Sequence, residues 1–167
     1  DLQTFLQKDK LIIGICNGCQ IVANLGLVPG TFTYNQSARL VCRWLDMKVT
    51  AKTPWLTGLA TLSLPIAHGE GRFFATKENL QKIQKTNQIA LQYTKGPIST
   101  YLDLPANPNG SVLDIAGIID ETGKVLALMP HPERGMFFTQ QPNWTFLKEQ
   151  YIKEKKQIPT EGPGLAL

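Results

Sequence analysis

The chain has 167 residues, a formal net charge of +4, 43% hydrophobic and 18% charged residues, proportions ordinary for a folded globular protein. That length fits one domain able to bury roughly two-thirds of its unfolded surface, and no run approaches the ~18 apolar residues of a membrane span. Basic residues are not interleaved with aromatics, so neither membrane nor nucleic acid is an expected partner, and an odd count of three cysteines points to a reducing cytoplasm.

In chain order, Leu2, Phe5 and Leu6 share one helical face, and Lys8-Asp9-Lys10 lead into the apolar run Leu11–Ile15. Gly14-Ile15-Cys16-Asn17-Gly18 then turns the chain into a helix-like stretch from Gln20 to Leu25. The pattern is strand, sharp turn, helix, with Cys16 at the corner, the layout of a nucleophile elbow. A thiol there is drawn toward ionisation by the helix's positive end and by unpaired backbone N–H groups. Gly14 and Gly18 are expected to be small because strand and helix approach closely at both.

Strands are predicted over 38–50 and 59–66, with Cys42 alternating with Leu40 and Trp44 toward the core. A His-Gly-Glu-Gly loop follows, then a helix over 76–86 with Leu80 and Ile83 on one face, and a strand over 88–94. Lys95 to Gly110 reads as a turn-rich loop. Ile115–Asp120 and Val125–Met129 flank Glu121-Thr122-Gly123-Lys124, a hairpin with Gly123 at the positive-φ position. Lys148, Lys153, Lys155 and Lys156 lie in a helix-like segment, read as a solvated or partner-facing surface. The tail 157–167 is expected to be loose, and Gly164–Leu167 to begin a helix.

The sequence has only two histidines, His68 and His131. His131 falls just past the strand ending at Met129, the edge at which open α/β sheets build their sites. Pro132 keeps the segment extended, and residues two apart in extended chain share a side, so Glu133 is expected beside the imidazole. Cys16, His131 and Glu133 then form a thiol analogue of the Ser-His-Asp constellation.

With Gly14, Cys16, Gly18 and Gln20 matching Gly-x-Cys-x-Gly-x-Gln, and Met129-Pro-His-Pro-Glu-Arg134, the chain resembles the class I (triad) glutamine amidotransferases. Asn17, Asn35-Gln-Ser-Ala-Arg39, His68-Gly-Glu-Gly-Arg-Phe73 and Asn107-Pro-Asn-Gly-Ser111 narrow the resemblance to the glutaminase part of phosphoribosylformylglycinamidine synthase. The resemblance implies an α/β, flavodoxin-like open sheet with antiparallel additions. It implies Cys16, His131 and Glu133 as catalytic residues, with Asn17 (through its backbone N–H), Gln20, Asn35 and Ser37 at the glutamine substrate. It also implies ammonia channelled to a synthetase partner, where ATP and magnesium act on formylglycinamide ribonucleotide. No cofactor or metal is expected in this chain, and His68 and Glu70 receive no chemical step. The opening strands and a Gly-rich oxyanion loop of the family would precede residue 1. The 167 residues are therefore expected to be one domain truncated at both ends, weakly active or inactive alone.

Three other readings compete. Cys16-Asn-Gly-Cys19 has the C-x-x-C spacing of thiol redox sites, with Cys19 resolving. Zinc would use Cys16, Cys19, His68 and His131, of which only the first pair has ligand spacing. A docking module would keep the fold and partner binding without turnover.

Overall fold

The strand, corner and helix expected around Cys16 form. In this computed structural model, which describes residues 2–167, helix α1 (Leu2–Gln7) precedes β1 (Ile12–Ile15), and the chain turns at Cys16 into α2 (Asn17–Asn24). Gly14 is where strand and helix touch: a Cβ there would lie 2.6 Å from the Gly18 carbonyl oxygen. The same argument fails for Gly18, whose added Cβ would meet nothing within 4 Å, because that side of the helix faces away from the strand.

After β2 (Thr31–Thr33) come β3 (Val41–Val49), β4 (Thr61–His68), β5 (Arg72–Phe74), α3 (Lys77–Lys85) and β6 (Ile89–Thr94). α4 (Pro97–Tyr101), β7 (Ile115–Ile119), β8 (Val125–Leu128) and α5 (Trp144–Lys153) complete the order. The main sheet has six strands in the order β1-β8-β7-β6-β3-β4. Among the described residues only β1 and β8 run parallel, so the expected α/β open sheet is present with its antiparallel additions as the larger share. Gly123 turns the β7–β8 hairpin at φ 73°. The sheet curls, and the N–H of His131, beyond β8, reaches the Pro65 carbonyl on edge strand β4 at 2.8 Å.

Each face of the curl carries a core. Leu45, Met47, Leu64, Ile66, Leu91, Leu126 and Leu128 fill one, and Val22, Phe73, Ile83, Val125, Ala127 and Met129 join Cys19 in the other, beneath α2 and α3. Each of the Val, Leu, Ile, Phe and Met side chains among them, fully buried, contributes about 1.5–3 kcal/mol. α3 starts where Thr76 Oγ1 accepts the Asn79 N–H and ends on Lys82 and Lys85, favourable to its dipole.

Three further expectations need correction. Cys42 is exposed, because β3 turns its odd-numbered residues, Leu45 and Met47 among them, to the core; period-two alternation shows two faces without saying which is inner. The loop from Lys95 contains α4, started by Pro97 and anchored on the buried Asp46 carboxylate, which accepts the Ser99 N–H (2.8 Å) and Ser99 Oγ–H (2.9 Å). The tail over 157–167 is pinned rather than loose. Thr160 O accepts from Phe138 N–H, Gly162 N–H donates to Met136 O and Gly164 N–H to Gly135 O, and a 3-10 turn (Pro163–Ala166) closes it against the His131 segment. Gly164 is essential to that fit, since a Cβ there would collide with the Pro132 carbonyl.

Candidate active site

Parallel pairing of β1 with β8 sets Ile15 opposite Leu128, so both strands end at the same edge of the sheet. Neighbouring strands lie about 4.8 Å apart, and the next residues out are Cys16 on one and Met129 to His131 on the other. The Cys16 N–H donates to the Leu128 carbonyl at 2.8 Å, tying the corner directly to the histidine-bearing strand. Two residues more than a hundred positions apart in sequence are thereby brought to the same edge of the sheet.

Cys16 sits at φ 50°, ψ −105°, in a region that costs a non-glycine residue about 1–3 kcal/mol. The strain presents a half-buried thiol at the N-terminus of α2, where the helix's first N–H groups have no intrahelical acceptor. Asn17 is exposed at the first helical position, where a backbone N–H has no intrahelical acceptor.

His131 is buried, with a side chain 9% exposed, whereas the Glu133 side chain is 52% exposed. Their Nδ1···Oε1 distance is 2.6 Å. The pairing arises differently from expectation: Pro132–Arg134 is a 3-10 turn, not extended chain, and the turn curls Glu133 back under the ring. With a carboxylate against Nδ1, that nitrogen carries the hydrogen, so in the neutral ring Nε2 has the lone pair, the tautomer a general base needs.

The structure distributes the other candidates unevenly. Gln20 Nε2 donates to the Glu70 carbonyl at 2.8 Å, clasping α2 to the His68–Gly71 loop. Asn35 is buried and fully engaged: Nδ2 donates to the His68 and Arg39 carbonyls, and Oδ1 meets His68 Nδ1 and the Gly71 N–H. An amide has two donors and two acceptor sites, so Asn35 has nothing left for a substrate. Its place is structural, in contrast to the expected contact with glutamine. Ser37 is exposed, its Oγ accepting the Arg39 N–H at 3.3 Å.

Asn109 and Ser111 drew no separate role from sequence, yet they complete this knot. Asn109 Nδ2 donates to the Gly71 carbonyl, and Ser111 Oγ accepts from Phe73 N–H. The three family stretches around Asn35, His68 and Asn109 are thus one hydrogen-bonded assembly beside the elbow. The signal available in sequence was their turn chemistry, which marks loops but not which loops meet.

Cys19 is buried at 0% exposure, and burial, with Cys16 nearby, pushes its thiol well above the usual range. A thiol held protonated is a poor resolving partner, which counts against redox chemistry. Among the described residues, no cluster of three or more His, Cys, Asp or Glu is placed to hold a metal, and no helix is long and apolar enough to cross a membrane.

The fold is that of a glutamine amidotransferase, and the chain belongs to the CobB/CobQ-like glutamine amidotransferase domain family, which it matches over residues 1–161. It is similar to the phosphoribosylformylglycinamidine synthase subunit PurQ of Methanococcus maripaludis, 37% identical over 171 residues covering 95% of this chain and 64% of that protein. The PurQ subunit of Parasynechococcus marenigrum is 46% identical over 134 residues, 78% of this chain and 57% of that one. Among solved structures, PurLQS from Thermotoga maritima superposes with a TM-score of 0.67 at 30% identity, over 92% of this chain and 66% of its own. The chain thus spans less than two-thirds of the length of these relatives.

Proposed function

We propose that this chain carries the glutaminase centre of phosphoribosylformylglycinamidine synthase. The observation that carries the reading is the convergence of a strained Cys16 corner with a Glu133-braced His131 at adjacent parallel strand ends. Cys16 gives its thiol proton to His131 Nε2 as the sulfur attacks the side-chain amide carbon of glutamine, and the Asn17 N–H stabilises the oxyanion. His131 delivers a proton to the departing nitrogen as the C–N bond breaks, releasing ammonia and leaving a γ-glutamyl thioester. Water, deprotonated by His131, then breaks the C–S bond to give glutamate and restores the thiol. Ammonia passes to a synthetase subunit that converts formylglycinamide ribonucleotide to the amidine; ATP and magnesium would be held by that subunit and would supply the activation of the amide oxygen. Reduced cysteines suit a cytoplasmic site for this chemistry.

The test is ammonia release from glutamine by the complete protein with its synthetase subunit. Turnover lost in Cys16→Ala and kept in Cys19→Ser supports the reading. Activity that follows Cys19 supports thiol redox chemistry instead, and no turnover at all supports a docking module.

A further inference from the structure

Gln20 makes two hydrogen bonds that join the Cys16 corner to a separate loop. Its backbone N–H donates to the Cys16 carbonyl at 3.2 Å, closing the first turn of α2, while its Nε2 donates to the Glu70 carbonyl at 2.8 Å. A carbonyl only accepts, so the side-chain atom facing Glu70 is the amide nitrogen. The far end of this bridge is itself fixed. Four consecutive carbonyls, those of His68, Gly69, Glu70 and Gly71, each take a donor from elsewhere in the chain. The donors are, in that order, Asn35 Nδ2, the Asn35 N–H, Gln20 Nε2 and Asn109 Nδ2, all at 2.8 Å. Three of the four come from the buried Asn35 and Asn109, so the loop is fastened to the body of the protein without Gln20. It has little room to shift, since a Cβ on Gly71 would lie 2.3 Å from the His68 ring.

A strained residue keeps its conformation only where its surroundings over-determine it. Cys16, at φ 50° and ψ −105°, is held on its N-terminal side by its own N–H on the Leu128 carbonyl, at 2.8 Å. On its C-terminal side the Cys16 carbonyl is held by Gln20, and the Gln20 side chain by the loop. Burial of Cys19, Val22 and Ala23 presses α2 onto the sheet, but apolar burial is non-directional. A hydrogen bond constrains both length and angle, and Gln20 supplies one at the turn that carries the nucleophile. We propose that Gln20 is a positioning residue for Cys16: its side-chain amide, anchored on the Glu70 carbonyl, keeps the strained corner in the geometry that attack requires. This deepens the glutaminase reading and rests on it. The role is distinct from the contact with substrate glutamine that the resemblance implies, because Gln20 reaches the chemistry through the Cys16 backbone.

Two substitutions separate these roles. Gln20→Met keeps the length of the side chain and loses its donor, and Gln20→Glu keeps acceptor oxygens while losing the donor too. Both are assayed as ammonia release from glutamine by the complete protein with its synthetase subunit, with kcat counted per folded molecule. One neutral hydrogen bond is worth about fivefold and a misplacement near 1 Å about 10²-fold, so kcat should fall by an amount between these in both variants, with KM little changed. A kcat retained in either variant overturns the proposal, and a raised KM with unchanged kcat marks a lost substrate contact instead. Where kcat falls and KM rises together, or the variants do not fold, a crystal structure of the parent with a glutamine analogue on Cys16 decides. Nε2 still on the Glu70 carbonyl supports the proposal, and Nε2 turned onto the ligand overturns it. Should the parent turn over no glutamine, the functional reading fails and the structure of Gln20→Met decides the positioning claim. A Cys16 backbone relaxed from its positive φ supports that claim, and an unmoved one overturns it.

Discussion

Replacing Gly14 by alanine puts a Cβ 2.6 Å from Gly18 O, 2.8 Å from Gly18 C and 3.0 Å from Cys19 N. All three are backbone atoms of the first turn of α2, so no side chain can swing aside. Ordinary carbon contacts begin near 3.5 Å, and the helix must retreat by about 0.9 Å to restore one. Overpacking of this kind costs about 1–3 kcal/mol, which in a domain of this size lowers the melting temperature by roughly 2–12 °C. The retreat carries Cys16 with it, and a misplacement of about 1 Å in a reacting group costs on the order of 10²-fold in rate. Gly18→Ala is the matched control, because its Cβ meets nothing within 4 Å and alanine gains about 0.5–1 kcal/mol over glycine in a helix. Thermal unfolding, with glutaminase turnover of the complete protein, reads both effects. Equal melting temperatures for Gly14→Ala and the parent, or an equal fall in Gly18→Ala, would refute the packing argument.

Three further outcomes follow from the site. His68, unfolded, titrates near 6.5 but in the fold near 4, so below pH 6.5 the unfolded chain takes up a proton that the folded one refuses. Stability is present above pH 6.5 and falls by about 3 kcal/mol as pH drops toward 4, and urea midpoints of His68→Gln should lose that slope. Asn35→Ala strips four hydrogen bonds and leaves the buried His68 Nδ1–H and Gly71 N–H unpaired; urea denaturation should show a loss of at least about 3 kcal/mol, with Asn35→Asp recovering part. Glu133→Gln weakens the brace on the His131 tautomer, and kcat for glutamine hydrolysis should fall by about 10²–10⁴ with KM little changed, whereas an unchanged kcat would remove Glu133 from the mechanism.

What could be read from sequence was local and directional. The apolar run ending at Gly14-Ile15-Cys16 marks a strand meeting a helix, and the Val125–Met129 run ending at His131 marks a second strand end. Both readings needed only nearest-neighbour chemistry. The phase of β3 was not legible, because Cys42 and Arg43 are equally compatible with alternation, and only long-range pairing with β4 and β6 selects the inner face. α4 was hidden for a related reason: Asp46, fifty residues upstream, supplies the carboxylate that starts it. Glu133 was placed correctly by the wrong geometry, since Pro132 opens a 3-10 turn as readily as it prolongs a strand. Asn35 shows the limit for polar motifs. A buried amide bridging two loops and a ligand-binding amide are the same letter until their partners are known.

The most direct test is covalent labelling of the complete protein with a glutamine-shaped electrophile, followed by mass mapping of the three cysteines of this chain. The account predicts one adduct, on Cys16, formed more slowly in His131→Ala and blocked by free glutamine. Labelling of exposed Cys42 at the same rate, or a Cys16 adduct indifferent to glutamine and to His131, would contradict it.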